Sequence, residues 1–177
     1  MENKYLIVID MQNDFVTGSL GTKEAQYIVP GVVRKVRDFQ GKVIFTQDTH
    51  GEDYLSAQEG KFLPVKHCLI GSEGWQLIDD LKKFQEETGC LVYQKPVFGS
   101  LQLAQDVQEW HQEQPITEIE LVGLCTDVCV VSNALLLKAA LPEVPLCVDA
   151  SCCAGITPKK HEAALDTMES CQIKIQR

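Results

Sequence analysis

A carboxylate, a thiol and an ammonium occupy equivalent places along this chain, each just after a short apolar run. Asp10 follows residues 5–9 and Lys95 follows residues 90–93. Cys129 follows residues 118–122 and the turn Gly123-Leu124-Cys125-Thr126-Asp127. Asp48 and His50 follow residues 43–46 and could share a metal. The residue types suggest a reaction. A thiol near the start of a helix is expected to have a lowered pKa, because the helix dipole and free N–H groups favour the thiolate. A neighbouring lysine pushes the same way. A carboxylate can take the thiol proton and later return it to a leaving amine. The N–H groups around Cys125 and Cys129 could cradle an oxyanion. Together these groups favour acyl transfer from an amide, through a thioester that water resolves. Taken singly, each residue has a plainer reading. Asp10 could terminate a strand, Lys95 before Pro96 could be a solvated loop residue, and Cys129 could be a buried apolar thiol. Asp48 and His50 could form a turn. Their joint placement at the ends of apolar runs favours a site.

The elements that must position them alternate between strand and helix. Residues 5–9, 43–46, 90–93 and 144–148 are short, largely apolar runs, and with 118–122 and the short stretch 172–175 they predict six strands. Residues 22–39 carry Ala25, Ile28, Val32, Val36 and Phe39 at helical spacing, with Pro30 expected to set the helix start and Gly41 its end. Further helices are predicted over 75–84, 101–111 and 127–140, and over 158–168, where Pro158 suits a first helical position. Residues 49–71 read as a long loop rich in Gly, Pro and polar residues, and loops of that length in compact domains are often functional. Continuous apolar strands separated by helices predict an α/β three-layer sandwich, a parallel sheet with helices on both faces. In such a sheet ligands bind outside the carboxyl ends of the strands, where the polar residues above fall.

Bulk properties narrow the function classes. One domain over residues 1–177 is the simplest organisation, with no repeat or linker. The net charge of −9, with basic residues no more clustered than the pairs Lys82-Lys83 and Lys159-Lys160, makes nucleic acid and anionic membrane poor partners. No leader segment or membrane span is evident, so a cytoplasmic protein is expected. The 8 cysteines lie mostly in apolar runs and are expected to be reduced. Their spacing does not suit a zinc ribbon. No Gly-x-Gly-x-x-Gly follows the first strand, which disfavours a dinucleotide oxidoreductase.

Three segments together resemble the isochorismatase-like cysteine hydrolases. They are Asp10-Met11-Gln12-Asn13-Asp14-Phe15, Lys95 at the end of the third strand, and Gly123-Leu124-Cys125-Thr126-Asp127-Val128-Cys129-Val130. Val148-Asp149-Ala150 and His161-Glu162-Ala163-Ala164-Leu165 are also similar to that family. The resemblance implies a six-stranded sheet of order 3-2-1-4-5-6 and a triad of Asp10, Lys95 and Cys129. It implies a cis peptide between Leu124 and Cys125 that turns an N–H toward the oxyanion. Asp48-Thr49-His50 followed by His67 resembles the metal pattern of the family's nicotinamidases, with Glu59 as the fourth ligand and Glu52 the runner-up. Such donors suit a divalent ion, namely zinc, with iron or manganese as alternatives. Phe15 and Phe98 are candidates to pack on a flat substrate ring, or ordinary core aromatics, and Phe62 or Leu63 could fill an aromatic position before His67. The resemblance implies a nicotinamidase acting on a small-molecule amide, in a homo-oligomer of two or more copies. The alternatives are a metal-independent relative that cleaves another amide, carbamoyl or ureido compound, and a catalytically silent binding protein on the same fold. A vinyl-ether hydrolase fits less well, because it need not use a nucleophilic thiol.

Overall fold

The computed structural model describes residues 2–177. Six strands form one parallel sheet of order β3-β2-β1-β4-β5-β6. They are β1 (Lys4–Ile9), β2 (Lys42–Asp48), β3 (Val92–Lys95), β4 (Glu118–Leu124), β5 (Leu146–Ala154) and β6 (Lys174–Gln176). The pairings β1–β2 and β1–β4 make β1 the strand at which the order reverses. Both faces of the sheet are covered, which is why its strands read as continuous apolar runs. Tyr5, Ile7 and Ile9 pack against α5 (Leu101–Glu113), α6 (Val131–Ala140) and α7 (Pro158–Ser170). Leu6 and Val8 pack on the opposite face, against α1 (Asn13–Val16), α2 (Lys23–Asp38) and α4 (Asp79–Thr88). The loop after β2 carries a 3₁₀ turn (Tyr54–Ser56) and the short helix α3 (Gln58–Phe62). Among the described residues, no helix is long and apolar enough to cross a membrane.

Several boundaries differ from expectation for local reasons. Helix α2 runs straight through Pro30 from a cap at Thr22, whose side chain accepts the Ala25 N–H. Pro30 lies on the exposed side, so water can satisfy the carbonyl that a proline leaves free, while Ala25, Ile28, Val32 and Val36 remain buried. Helix α4 begins at Asp79 rather than 75, because Trp75 and Leu77 are occupied elsewhere. The Trp75 carbonyl accepts from the Gln12 and Gln47 side chains, and Leu77 bridges to Gln12. The helix expected over 127–140 is split into a π turn (Thr126–Val130) and α6. Strand β5 extends to Ala154, so Cys152 and Cys153 are buried strand residues, and all 8 thiols are free.

Glu120 on β4 and Asp149 on β5 both reach Lys35 of α2, with Asp149 at 2.6 Å. Burial alone would raise the Asp149 carboxyl, but Lys35 and Ser151 outweigh it and hold the pKa below its usual value. Burial likewise opposes the Lys35 ammonium, and its two carboxylate partners hold it above its ordinary pKa. The lowered carboxyl stabilises the fold above its unfolded pKa and loses that contribution as pH falls through the folded value. The raised ammonium does so below its unfolded pKa and loses it as pH rises. The cluster is therefore fully effective between roughly pH 4 and pH 10. We expect Lys35→Met to destabilise the protein by about 3 kcal/mol at neutral pH, since two carboxylates lose their partner. The gap should narrow below about pH 4 as the Asp149 carboxyl protonates. Urea denaturation of both proteins across that range measures it, and a gap that widens at low pH would contradict the assignment.

Candidate active site

The carboxyl ends of β1, β2, β3 and β4 converge on one cluster. Asp10 leaves β1 with a φ of 46°, in the left-handed region that Asp tolerates better than most residues. Thr46 of β2 fixes this bend. Its hydroxyl accepts from the Asp10 N–H at 3.2 Å and donates to Asp10 Oδ1 at 2.5 Å. Lys95, only 1% exposed, ends β3 with its Nζ 2.6 Å from Asp10 Oδ2 and 3.4 Å from Cys129 Sγ. The same Nζ lies 3.5 Å from Asp48 Oδ1 and 3.3 Å from the Val97 carbonyl. The Lys95–Asp10 contact is a short, fully buried ion pair.

Cys129 sits in the π turn between β4 and α6, a geometry common at functional sites. Gly123 makes the approach possible. Its φ is 120°, and a Cβ there would lie 2.1 Å from the Ile9 carbonyl oxygen. The Leu124–Cys125 peptide that follows is cis. The turn is held from two sides. The Thr126 hydroxyl meets His161 Nδ1 at 2.7 Å, and Asp127 Oδ1 accepts the Ile156 N–H at 2.8 Å. Asn133, one turn on, donates to the carbonyls of Cys129 and Phe98 and accepts the Ser100 N–H. It ties the helix that follows the thiol to the segment that follows Lys95.

The charges do not match the thiolate expected from sequence. Burial, then the Asp10 charge, push the Cys129 thiol well above its ordinary pKa, and Lys95 only partly offsets them. The thiol lies inside a buried turn rather than at an exposed helix end, so the dipole argument does not carry. Burial also raises Asp10, against the pull of Lys95. Burial opposes the Lys95 ammonium, yet Asp10, Cys129 and Asp48 hold its pKa above the usual value. The resting arrangement is a thiol beside a carboxylate whose charge is held by a buried ammonium.

Next to this triad, single donor atoms of Asp48, His50, Glu59 and His67 lie within 4.8 Å of one another. Asp48 Oδ2 is 2.9 Å from His50 Nε2 and 3.4 Å from His67 Nε2, and both nitrogens stand 3.7 Å from Glu59 Oε1. His67 Nδ1 donates to the Val65 carbonyl at 2.8 Å, which aims Nε2 at the cluster. Burial and the nearby Asp48 raise Glu59. Burial works against charged His67, but Asp48 raises its pKa overall. Burial would raise Asp48, yet His50, His67 and Lys95 hold it far below its usual value. The raised Glu59 and His67 reflect the negative charge of Asp48 at the centre of the cluster. Two carboxylates and two imidazoles around such a point fit a divalent cation. Glu52, the runner-up ligand, instead pairs with Lys66 at the surface, 3.0 Å away.

A cavity of about 180 Å³ opens onto both groups, with Cys125, Cys129, Asp48, Glu59 and His67 on its wall. Phe15 and Phe98 line it, as does Leu63. Phe62 does not. It is 84% exposed at the last residue of α3. Sequence reasoning also missed three supporting residues. The fully buried Gln12 pairs with the Asp48 backbone like an added strand residue, through bonds of 2.8 and 2.9 Å. Tyr54 packs its ring 4.7 Å from His50 and 4.9 Å from His67, and its hydroxyl donates to the Leu63 carbonyl. Asp14 accepts the Cys68 N–H. Only Gln12 and Asp14 carried a signal, as polar residues within the opening motif. Tyr54 lay in a stretch without periodicity.

Comparison with known proteins agrees with this architecture. A family model described as the isochorismatase domain matches residues 4–176. An uncharacterized isochorismatase family protein, PncA of Bacillus subtilis (strain 168), is 30% identical over 142 residues, covering 75% of this chain and 76% of that one. A probable inactive nicotinamidase of Arabidopsis thaliana is 28% identical over 185 residues, covering 97% and 91%. The crystal structure of a nicotinamidase, PncA from Bacillus subtilis, has a TM-score of 0.82 at 26% identity over 99% of each chain. The chain belongs to the isochorismatase family.

Proposed function

We propose that the protein is a cysteine amidohydrolase that converts nicotinamide to nicotinate and ammonia. The observation that carries this reading is the meeting of Asp10, Lys95 and Cys129 beside a cavity that also holds a metal-type donor set. It is a hydrolase of amide C–N bonds. Cys129 Sγ attacks the amide carbonyl while the Asp10 carboxylate, paired with Lys95, takes the thiol proton. Because the resting thiol is protonated, transfer and attack proceed together. The N–H groups of Cys125 and Cys129 receive the oxyanion. Asp10 then gives its proton to the leaving nitrogen, and ammonia departs from a thioester. Water, with Asp10 again as base, releases the acid and restores the thiol. Lys95 favours the ionised form of Asp10 between proton transfers and screens it from Asp48.

Asp48, His50, Glu59 and His67 would hold the divalent ion, with zinc the best match to two imidazoles and carboxylates. Bound there, it supplies a Lewis-acid contact for a ring nitrogen of the substrate. Phe15, Phe98 and Leu63 flank a flat ring. Among the described residues, no Lys or Arg lines the cavity, and Asp48 and Glu59 face it. An uncharged amide suits that wall better than a polyanion such as a dicarboxylate.

Purified protein should release ammonia from nicotinamide, and a strong chelator should suppress the release until zinc is restored. No release from metal-loaded protein would overturn the nicotinamide assignment. Release that chelation leaves untouched would favour a metal-independent amidase.

A further inference from the structure

The two imidazoles of the donor set come from separate segments, and one peptide joins them. The Cys68 carbonyl accepts the His50 N–H at 2.9 Å, and residues 67–70 run alongside His50 as a parallel bridge through Leu69. The Ile70 N–H completes the bridge by donating to the His50 carbonyl. Cys68 is fully buried and has a φ of 47°, a backbone conformation that a residue with a side chain adopts only under constraint. The constraint comes from outside the loop. The Cys68 N–H donates to Asp14 Oδ2 at 2.7 Å, across 54 residues of sequence. His67 precedes that N–H directly, so the bond fixes the peptide plane from which the His67 side chain departs.

Asp14 is held firmly itself. Its N–H donates to the Gly74 carbonyl, its carbonyl accepts the Leu20 N–H, and its Oδ1 accepts the Ser19 N–H. Gly74 lies so close that a Cβ there would come within 2.2 Å of Asp14 Oδ2. Asp14 touches none of the four donor atoms and does not line the cavity. We propose that Asp14 is a positioning residue for the metal-type donor set, holding the His67–Cys68 peptide so that His67 and His50 converge on Asp48. This rests on the metal reading above and adds a device that the catalytic triad does not use.

The geometry orders the variants. Asp14→Asn can still accept from Cys68 with one oxygen, but it turns an NH₂ toward the Ser19 N–H. Asp14→Ala leaves the buried Cys68 N–H without its acceptor. The test uses protein stripped of metal and titrated with zinc by calorimetry, with Co²⁺ absorption reporting ligand geometry. We expect Asp14→Ala to weaken zinc binding by about 10–100-fold and to alter the cobalt spectrum, as losses of supporting bonds to metal ligands do. Asp14→Asn should fall between it and wild type, and it carries the test if the alanine variant does not fold. Alkylation of Cys129 in the stripped proteins should be unchanged, which a general loosening of the fold would not leave so. Zinc affinity and cobalt spectrum equal to wild type in a folded Asp14 variant would overturn this proposal alone. A wild-type protein that takes up no metal would overturn the metal reading and this proposal together.

Discussion

Replacing Cys129 by alanine should abolish amide hydrolysis, with kcat/KM falling roughly 10⁴-fold or more, as loss of a covalent nucleophile does in other acyl-transfer enzymes. The cost to the fold should be small, about 1 kcal/mol, because one buried sulfur is lost and no hydrogen-bond partner is stranded. Lys95 keeps its contacts to Asp10, Asp48 and the Val97 carbonyl. Metal uptake should match wild type, since the four donors lie outside the triad. A variant that loses activity, stays folded and still binds metal isolates the thiol as the missing part. A variant that keeps more than about a tenth of the activity would mean that another group attacks the carbonyl.

The second large effect is expected at Lys95. Its ammonium is the counter-charge of Asp10, which is 0% exposed, and of Asp48, which is 3% exposed. Lys95→Met keeps the length of the side chain and removes the charge. A buried carboxylate without its partner destabilises a fold by about 3–5 kcal/mol when it stays ionised. Asp10 will instead take up a proton, because burial and Asp48 already push its pKa upward and the opposing pull of Lys95 is gone. A carboxyl whose pKa is raised by folding stabilises the native state only while protonated, and that contribution is lost as pH rises through the folded value. The stability deficit of Lys95→Met should therefore be smallest in acid and grow toward neutral pH. Activity should fall with it, because a protonated Asp10 cannot take the thiol proton. Denaturant titrations at several pH values give the first trend and the pH profile of kcat/KM the second. A deficit independent of pH would show that Asp10 is not the group Lys95 balances.

The sheet could be read from sequence because it is covered on both faces. Residues 5–9 and 144–148 have no polar alternation to confuse with an amphipathic helix, and the polar residues that follow each run mark the strand end. Asp10 stands directly after its run, and Asp48 and Lys95 follow theirs one residue past Gln47 and Gln94; the family resemblance assigns their roles. The nucleophile segment was harder. Its type and position were evident, but nothing in Thr126–Val130 announces a π turn, so the helix-end argument wrongly predicted a lowered thiol pKa. Burial beside Asp10, a tertiary fact, decides that pKa. The loop after β2 shows the same limit at shorter range. Helix α3 has five residues, too few for a periodic signal, so nothing in the sequence shows that Glu59 joins the donor set while Phe62 stays exposed. Pro30 misled for the opposite reason. A local breaker rule was overridden by an apolar face that continues on both sides of it.

A thioester at Cys129 is the central intermediate of the proposed reaction. Protein mixed briefly with nicotinamide and quenched in acid can be digested and analysed by mass spectrometry. A nicotinoyl group on the peptide that carries Cys129, present in wild type and absent in Cys129→Ala, is the predicted result. Steady turnover with no adduct on that peptide, together with undiminished activity in Cys129→Ala, would contradict it.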